Sequence, residues 1–169
     1  IAQSQLGYRE SVRNFEIDKY NGARRGYTRY GEWYGASHSD WCAMFASFCL
    51  HYANVEGVPY EAHCQRWIEK LSDPSVNLYR PVDTYKPIPG DLIFFDQEQD
   101  GCVDRVGLVE KLEDINATVI EGDSNKCVER NTYDLFDKRI VGYGVLGMVE
   151  APTTEDTTED TEWLVGPDD

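Results

Sequence analysis

The segment DWCAMFASFCLHYA, residues 40–53, constrains the fold of this chain more than any other. Apolar residues occupy almost all sides of its helical wheel, which predicts a buried central helix over 41–53. Asp40 is a favourable N-cap residue, and Cys42 then falls in the first turn. Free backbone N–H groups and the helix dipole lower the pKa of a thiol at such a position. The segment therefore predicts a nucleophilic cysteine, with an inert core thiol as the alternative.

A series of strands is predicted after this helical region. The stretch PIPGDLIFF indicates a turn followed by a strand at 91–95, and further strands are predicted at 105–112 and 117–123. KCVERNTYD and IVGYGVLGMV supply two more. Helices followed by consecutive strands with short turns predict an α+β fold. We expect N-terminal helices packed on an antiparallel five- or six-stranded sheet or half-barrel.

The spacing of apolar residues indicates two further helices. The first is predicted over 2–15, where Tyr8, Val12 and Phe15 fall on one inward face, and the second over 61–71. Residues 21–40 are rich in Gly, Tyr and Ser and are interpreted as a loop. The aromatic side chains of this region are assigned with equal weight to the core or to a groove lining; they are Tyr30, Trp33 and Tyr34.

Length and charge limit the possible organisation and partners. The 169 residues suggest one domain over 1–150, followed by an acidic, Thr-rich tail or linker at 151–169 that repeats TTED. A net charge of −15 makes binding to nucleic acid phosphates unfavourable. No apolar run is long enough to predict a membrane span. Asn116 begins a glycosylation sequon, which we interpret as a turn.

The five cysteines leave two interpretations open. One free reactive thiol with up to two disulfides fits the odd number, as do five reduced thiols. The predicted hairpin brings Cys102 opposite about residue 126, which makes a Cys102–Cys127 disulfide geometrically plausible. Cys49 and Cys64 lie on two predicted helices and are a second candidate pair.

A nucleophilic cysteine of this kind needs a base, which papain-like hydrolases place on a strand facing the thiol. The hairpin of 105–123 pairs position 105 with Glu121 or Asp123, and these two carboxylates share one face. The residue at position 105 is arginine, which keeps its proton up to roughly pH 12 and cannot accept another. We therefore expect Arg105 to pair with Glu121 or Asp123 and to stabilise the thiolate by its charge.

The chain resembles the CHAP domain, the cysteine- and histidine-dependent amidohydrolase/peptidase family of bacterial cell-wall enzymes. The motifs that carry the resemblance are GYTRYGEWYG, DWCAMFASFC, PIPGDLIFFD, DRVGLVE and VIEGDS, in that order over most of 2–148. The resemblance implies that Cys42 is the nucleophile and that Glu121 and Asp123 are the orienting residues. The base histidine of the family's D-H-V-G-type stretch corresponds to Arg105.

The resemblance also implies a reaction and a setting. Cys42 would attack an amide carbonyl in a peptidoglycan stem peptide or at the glycan–peptide link, and water would release the thioester. Neither a metal nor an organic cofactor is expected. The host would be a secreted or surface bacterial protein. With Arg105 in place of the base, catalysis is expected to be impaired, and the alternative is a pseudoenzyme that binds a wall peptide or a protein partner.

Three histidines are available as substitutes for the missing base. His38 lies four residues before Cys42 and could turn toward the thiol. His51 is nine residues further along the helix, about 13 Å away by helical rise, and is out of reach. His63 precedes Cys64 and is interpreted as a surface residue, too isolated for a zinc site.

Overall fold

A six-stranded antiparallel sheet and three α-helices make up the computed structural model, which describes residues 1–146. The helices are α1 (Arg29–Tyr34), α2 (Cys42–Tyr52) and α3 (Cys64–Ser72). Two short strands, β1 (Phe15–Ile17) and β2 (Arg24–Gly26), form a separate hairpin. The strands of the main sheet are β3 (Tyr79–Pro81), β4 (Leu92–Phe95), β5 (Arg105–Glu113), β6 (Asn116–Ser124), β7 (Cys127–Asp134) and β8 (Ile140–Gly144).

The main sheet has the strand order β3-β8-β4-β5-β6-β7, and every neighbouring pair is antiparallel. The predicted α+β class with a five- or six-stranded antiparallel sheet is therefore confirmed. Strands β5 and β6 form the predicted hairpin, in which Leu108 lies opposite Ile120. The same register, extended to the ends of the two strands, places Arg105 near Asp123.

Helix α2 is the centre of the core, as its composition predicts. Its residues from Cys42 to Leu50 are all buried, and the helix packs against β5 and β6. Gly122 allows this close approach, because a Cβ at that position would lie 2.5 Å from Phe45 Cβ. On its other side, α2 contacts the buried ring of Tyr30, which stacks on Trp41 at 5.3 Å between ring centroids. Tyr30 thus belongs to the core.

The predicted helix over 2–15 is wrong. Only a short 3-10 helix, Ala2–Gln5, is present, and the chain then turns through Gly7 at a φ of 87°. At Gly7 and Tyr8 the backbone pairs with β7, because the Gly7 N–H group donates to the Val128 carbonyl oxygen at 3.0 Å and the Tyr8 carbonyl oxygen accepts from the Val128 N–H group at 2.8 Å. Val12, expected on an inward face, is 72% exposed. Pairing with a distant strand satisfies the backbone groups here, and this removes the advantage of a helix.

The segment 21–40, predicted as a loop, contains β2 and α1. Thr28 is the N-cap of α1, and its side chain accepts a hydrogen bond from the Gly31 N–H group at 3.0 Å. Gly35 ends the helix in the left-handed conformation, with a φ of 96°. Both are standard helix-end signals. The prediction missed α1 because the helix has less than two turns and its composition, rich in Gly and Tyr, is typical of a loop.

The two predicted disulfides are absent, and all five cysteines are free thiols. Cys102 is exposed in the loop between β4 and β5, whereas Cys127 is buried at the start of β7. Within that loop, Asp96 accepts a hydrogen bond from the Gly101 N–H group at 2.8 Å. Cys49 does not pair with Cys64, whose thiol faces a different cysteine.

Two further predictions concern the C-terminal residues and membrane-spanning helices. The tail at 151–169 lies outside the described residues, as does the end of the strand expected in IVGYGVLGMV. Within residues 1–146, each helix is too short or too polar to cross a membrane.

Candidate active site

Cys42 is the first residue of α2, as predicted, but Asp40 does not cap the helix. The N-cap is Trp41, whose own side chain makes no capping hydrogen bond. Asp40 points outward and forms an ion pair with Arg25. The carboxylate that serves this helix start belongs to β6 instead, since Asp123 Oδ2 accepts a hydrogen bond from the Trp41 N–H group at 3.2 Å.

The Cys42 thiol is almost enclosed, with the residue 8% exposed. Its Sγ lies 3.7 Å from Cys64 Sγ and 3.6 Å from the carbonyl oxygen of Asp104. The hydrogen bond from Cys64 is the main cause of a lowered pKa for Cys42, and the charge of Arg105 adds to it against the opposing effect of burial. The site therefore favours a thiolate, the form of cysteine that acts as a nucleophile.

Arg105 begins β5 and lies between the thiol and two acidic residues. Its Nη1 is 3.9 Å from Glu121 Oε1, and both Nη atoms lie 3.4 Å from the backbone carbonyl oxygen of Asp123. The predicted charge pair with Glu121 is present, but the hydrogen bonds go to a backbone oxygen rather than to a carboxylate. Burial alone would lower the pKa of Arg105, but the negative charges of Cys42 and Glu121 raise it. The guanidinium stays charged.

Glu121 is completely buried on β6 and is oriented by two side chains of β7. Its Oε2 accepts hydrogen bonds from Asn131 Nδ2 at 2.6 Å and Tyr133 Oη at 2.7 Å. Its Oε1, on the side of Arg105, has no hydrogen-bond partner among the described residues. Gly107 makes room for this carboxylate, because a Cβ there would lie 2.8 Å from Glu121 Cγ.

Asn131 and Tyr133 belong to the site but were not identified from the sequence. Burial, together with the negative charge of Glu121, raises the pKa of Tyr133, so its hydroxyl remains a donor. The two residues are two apart on β7, so they share one face beside β6. The alternation in the sequence NTY indicates that Asn131 and Tyr133 share a face. Only the pairing of β7 with β6 shows that this face lies beside Glu121.

Asp123 was expected beside Arg105 but faces the start of α2. A bulge between Glu121 and Ser124 and a φ of 57° at Asp123 turn its side chain toward Trp41. Burial raises the pKa of Asp123, while Lys126 Nζ at 3.4 Å counteracts this. Its side chain thus serves the helix that carries the thiol.

The three histidines make no hydrogen bond to Cys42 within the described chain. His38, the candidate substitute base, bonds to Asn14 Oδ1 at 3.0 Å. His51 packs on Trp33 with 5.3 Å between ring centroids. His63 is the N-cap of α3. No cluster of three or more metal-binding side chains occurs in residues 1–146.

These features define a class of protein. A thiol starts a buried helix that packs on an antiparallel sheet, and a strand of that sheet presents Arg105 beside a buried carboxylate, Glu121. This is the layout of the papain-like cysteine hydrolases.

The chain belongs to the CHAP domain family, whose model matches residues 33–123. The resemblance inferred from the motifs is thereby confirmed, and the match ends at Asp123 of the site. No curated protein matches the chain.

One solved structure supports the same fold. The crystal structure of Ly7917 has a TM-score of 0.52 and 14% identity, covering 86% of this chain and 58% of its own. A second structure, Ly7917 with the hydrolyzing product of MDP, has a TM-score of 0.49 and 10% identity, with coverages of 86% and 60%. The chain thus spans less than two thirds of Ly7917. The first match confirms the papain-like fold.

Proposed function

We propose that this chain is a peptidoglycan-directed CHAP domain of a secreted or surface bacterial protein, whose amide hydrolysis is impaired by Arg105. The bond it is built to attack is an amide of the stem peptide or of the glycan–peptide link. The observation that carries the proposal is the pairing of Arg105, at the start of β5, with Glu121 beside the Cys42 thiol.

The first half of the reaction is supported by the groups around Cys42. The helix start, the Cys64 thiol and the charge of Arg105 all stabilise a thiolate. A thiolate held in this way attacks a carbonyl carbon without needing a base to remove its proton.

No histidine among residues 1–146 is placed to donate a proton when the amine leaves. When the tetrahedral intermediate collapses, the departing amine must take up a proton, which a histidine normally delivers. The raised pKa of Arg105 keeps its proton in place through this step. Loss of acid–base assistance typically lowers a rate by about 10²–10⁴-fold. Slow turnover follows even though the nucleophile is intact.

The buried Oε1 of Glu121 supports the view that a different side chain suits position 105. A carboxylate oxygen without a donor is unusual in a protein interior. An imidazole N–H group is the donor that an orienting carboxylate binds in catalytic triads. Glu121 is already fixed by Asn131 and Tyr133, so a histidine at 105 would meet a prepared partner.

The alternative, a domain that binds without cutting, is favoured by the cavity next to Arg105. Its lining is strongly polar and includes a second arginine, Arg139, together with three amide side chains, Gln97, Asn125 and Asn131. These groups can bind the carboxylates and amides of a peptide. In this case Arg105 would contribute to binding instead of blocking catalysis.

Purified peptidoglycan tests the proposal. We expect very slow release of amino groups by the natural sequence, faster release by Arg105→His, and none by the double variant Arg105→His with Cys42→Ala. Arg105→Gln is the matched control, because it removes the charge without supplying a base.

The alternative has a separate readout in the same material. Co-sedimentation with insoluble peptidoglycan, in the absence of faster cleavage by Arg105→His, would favour the binding domain. Rapid hydrolysis by the natural sequence that Cys42→Ala abolishes would overturn the proposal of impairment and would require another base.

A further inference from the structure

The thiols of Cys42 and Cys64 face each other at the junction of two helices. Cys64 is the first residue of α3, as Cys42 is of α2, and the two residues are 5% and 8% exposed. Their Sγ atoms are 3.7 Å apart, and a disulfide needs about 2.05 Å, so rotations of the side chains that bring the sulfurs closer by roughly 1.7 Å would close the pair. The two thiols are therefore within bonding reach of each other.

Hydrogen bonds fix the segment that carries Cys64 against α2. Ser47 Oγ, on α2, donates to the carbonyl oxygen of Glu61 at 2.8 Å and accepts from its N–H group at 3.0 Å. Glu61 Oε1 in turn accepts from the N–H group of Ala62 at 2.8 Å. Lys70, on α3, pairs with Glu61 at 2.7 Å. Cys64 is thus tied to the same helix as Cys42.

A further hydrogen bond ties α3 to the strand that carries Arg105. The Val103 N–H group donates to Gln65 Oε1 at 3.3 Å, two residues before β5 begins. Hydrogen bonds therefore join α2, α3 and the segment before β5 around the pair of thiols.

The two thiols differ in their chemistry. The hydrogen bond between them lowers the pKa of Cys42 and raises the pKa of Cys64, and Arg105 favours the anion of Cys42. Of the two sulfurs, Cys42 therefore loses its proton more readily, and Cys64 keeps its proton to higher pH. This is the combination in which one sulfur reacts first and its neighbour resolves the product.

We propose that Cys42 and Cys64 form a redox site, in which a hydroperoxide converts the two thiols into an intramolecular disulfide. The Cys42 thiolate attacks the outer oxygen of the hydroperoxide, the O–O bond breaks, and the alcohol or water leaves after taking up a proton. Cys42 is then a sulfenic acid. The Cys64 sulfur loses its proton and attacks the Cys42 sulfur, the S–O bond breaks, and hydroxide leaves as water.

The balance of this reaction is two thiols and one hydroperoxide giving one disulfide, one alcohol and one water. Two electrons pass from the sulfurs to the peroxide oxygens. The disulfide occupies the nucleophile and protects it from further oxidation to the irreversible sulfinic acid. A dithiol reductant reverses it. The proposal holds whether or not the protein cleaves amides.

The test uses the full chain, hydrogen peroxide and peptide mass mapping. After exposure to peroxide, the remaining thiols are alkylated under denaturing conditions and the protein is digested without reduction. We expect the peptides of Cys42 and Cys64 to be joined, with a mass lower by two hydrogen atoms than their sum. Treatment with dithiothreitol should restore alkylation of both residues.

The variants Cys64→Ser and Cys49→Ser separate a resolving role from simple packing. Cys64→Ser should accumulate sulfenic or sulfinic acid at Cys42 several-fold above the natural sequence. Cys49→Ser is the matched control, since Cys49 is also buried on α2 but burial raises its pKa, and it should form the disulfide normally.

Peptide mass mapping of the natural sequence tests the Cys42–Cys64 disulfide even if a variant fails to fold. Equal sulfinic acid at Cys42 in the natural sequence and in Cys64→Ser would overturn the proposal. A disulfide to Cys102 instead, or five intact thiols after peroxide treatment, would do so as well.

Discussion

Glu121 Oε1 lies 3.9 Å from Arg105 Nη1, and no donor in the described residues hydrogen-bonds to it. The pair is held together by charge, without the short contacts that usually accompany a buried guanidinium and carboxylate. Leaving a buried acceptor without a hydrogen bond typically costs about 1–3 kcal/mol. The balance of charge between these two residues therefore matters both for the stability of the sheet and for the chemistry at Cys42.

Glu121→Gln should destabilise the protein by about 1–3 kcal/mol, because it leaves Arg105 without its compensating charge while the guanidinium is only 26% exposed. Urea unfolding of the two proteins measures the difference. The matched control is Glu113→Gln, which breaks an exposed pair with Lys111 and should cost less than about 1 kcal/mol. Equal losses in the two variants would contradict the importance of the Arg105–Glu121 pair.

The rate at which iodoacetamide labels Cys42 should show a pH midpoint below 9.0, the ordinary value, because the pKa of this thiol is lowered. Removing the Cys64 hydrogen bond in Cys64→Ala, or the charge in Arg105→Gln, should move the midpoint upward. Mass spectrometry of the labelled peptide at each pH provides the measurement.

Cys102 is the internal control for this titration. It is exposed, and the charge of Asp100 raises its pKa above 9.0, so its midpoint should lie higher than that of Cys42. The reverse order of the two midpoints would refute the stabilised thiolate.

Gly122→Ala should destabilise the fold by about 1–3 kcal/mol, since the new methyl group would lie 2.5 Å from Phe45 Cβ and push α2 away from β6. Gly144→Ala is the comparison, because its methyl group would meet only side-chain atoms at 3.1 Å or more. We expect the smaller loss there. Thermal unfolding would rank the two variants, and an equal or reversed order would rule out close packing of α2 at Gly122.

Glu110 should contribute to acid-dependent stability. The hydrogen bond from Arg130 lowers its pKa to about 2 from an ordinary 4.5, so the folded protein binds this proton less readily than the unfolded chain does. The contribution is fully present above pH 4.5 and is lost as the pH falls toward 2. The gap in unfolding free energy between the natural sequence and Glu110→Gln should therefore narrow over this range. A gap independent of pH would contradict the assignment.

Features that depend on local pattern were predictable from the sequence. The apolar composition of 42–50 identified α2 as a core helix, and apolar runs bounded by turn residues identified β4 to β6, because these signals are local in the sequence. The hairpin register placed Arg105 beside Glu121 for the same reason. The ordered CHAP motifs then indicated the family, which the match over 33–123 confirms.

Only the tertiary structure decided which groups share the site. Cys64 faces Cys42 because Ser47 and Glu61 bind the start of α3 to α2, across a separation in sequence that periodicity does not encode. A bulge turned Asp123 to the N–H group of Trp41 and away from Arg105. Contacts of this kind depend on how elements pack rather than on how each one forms. The sequence therefore determined the core helix, the strands β4 to β6 and the position of Cys42 at a helix start, while tertiary packing determined which groups surround its thiol.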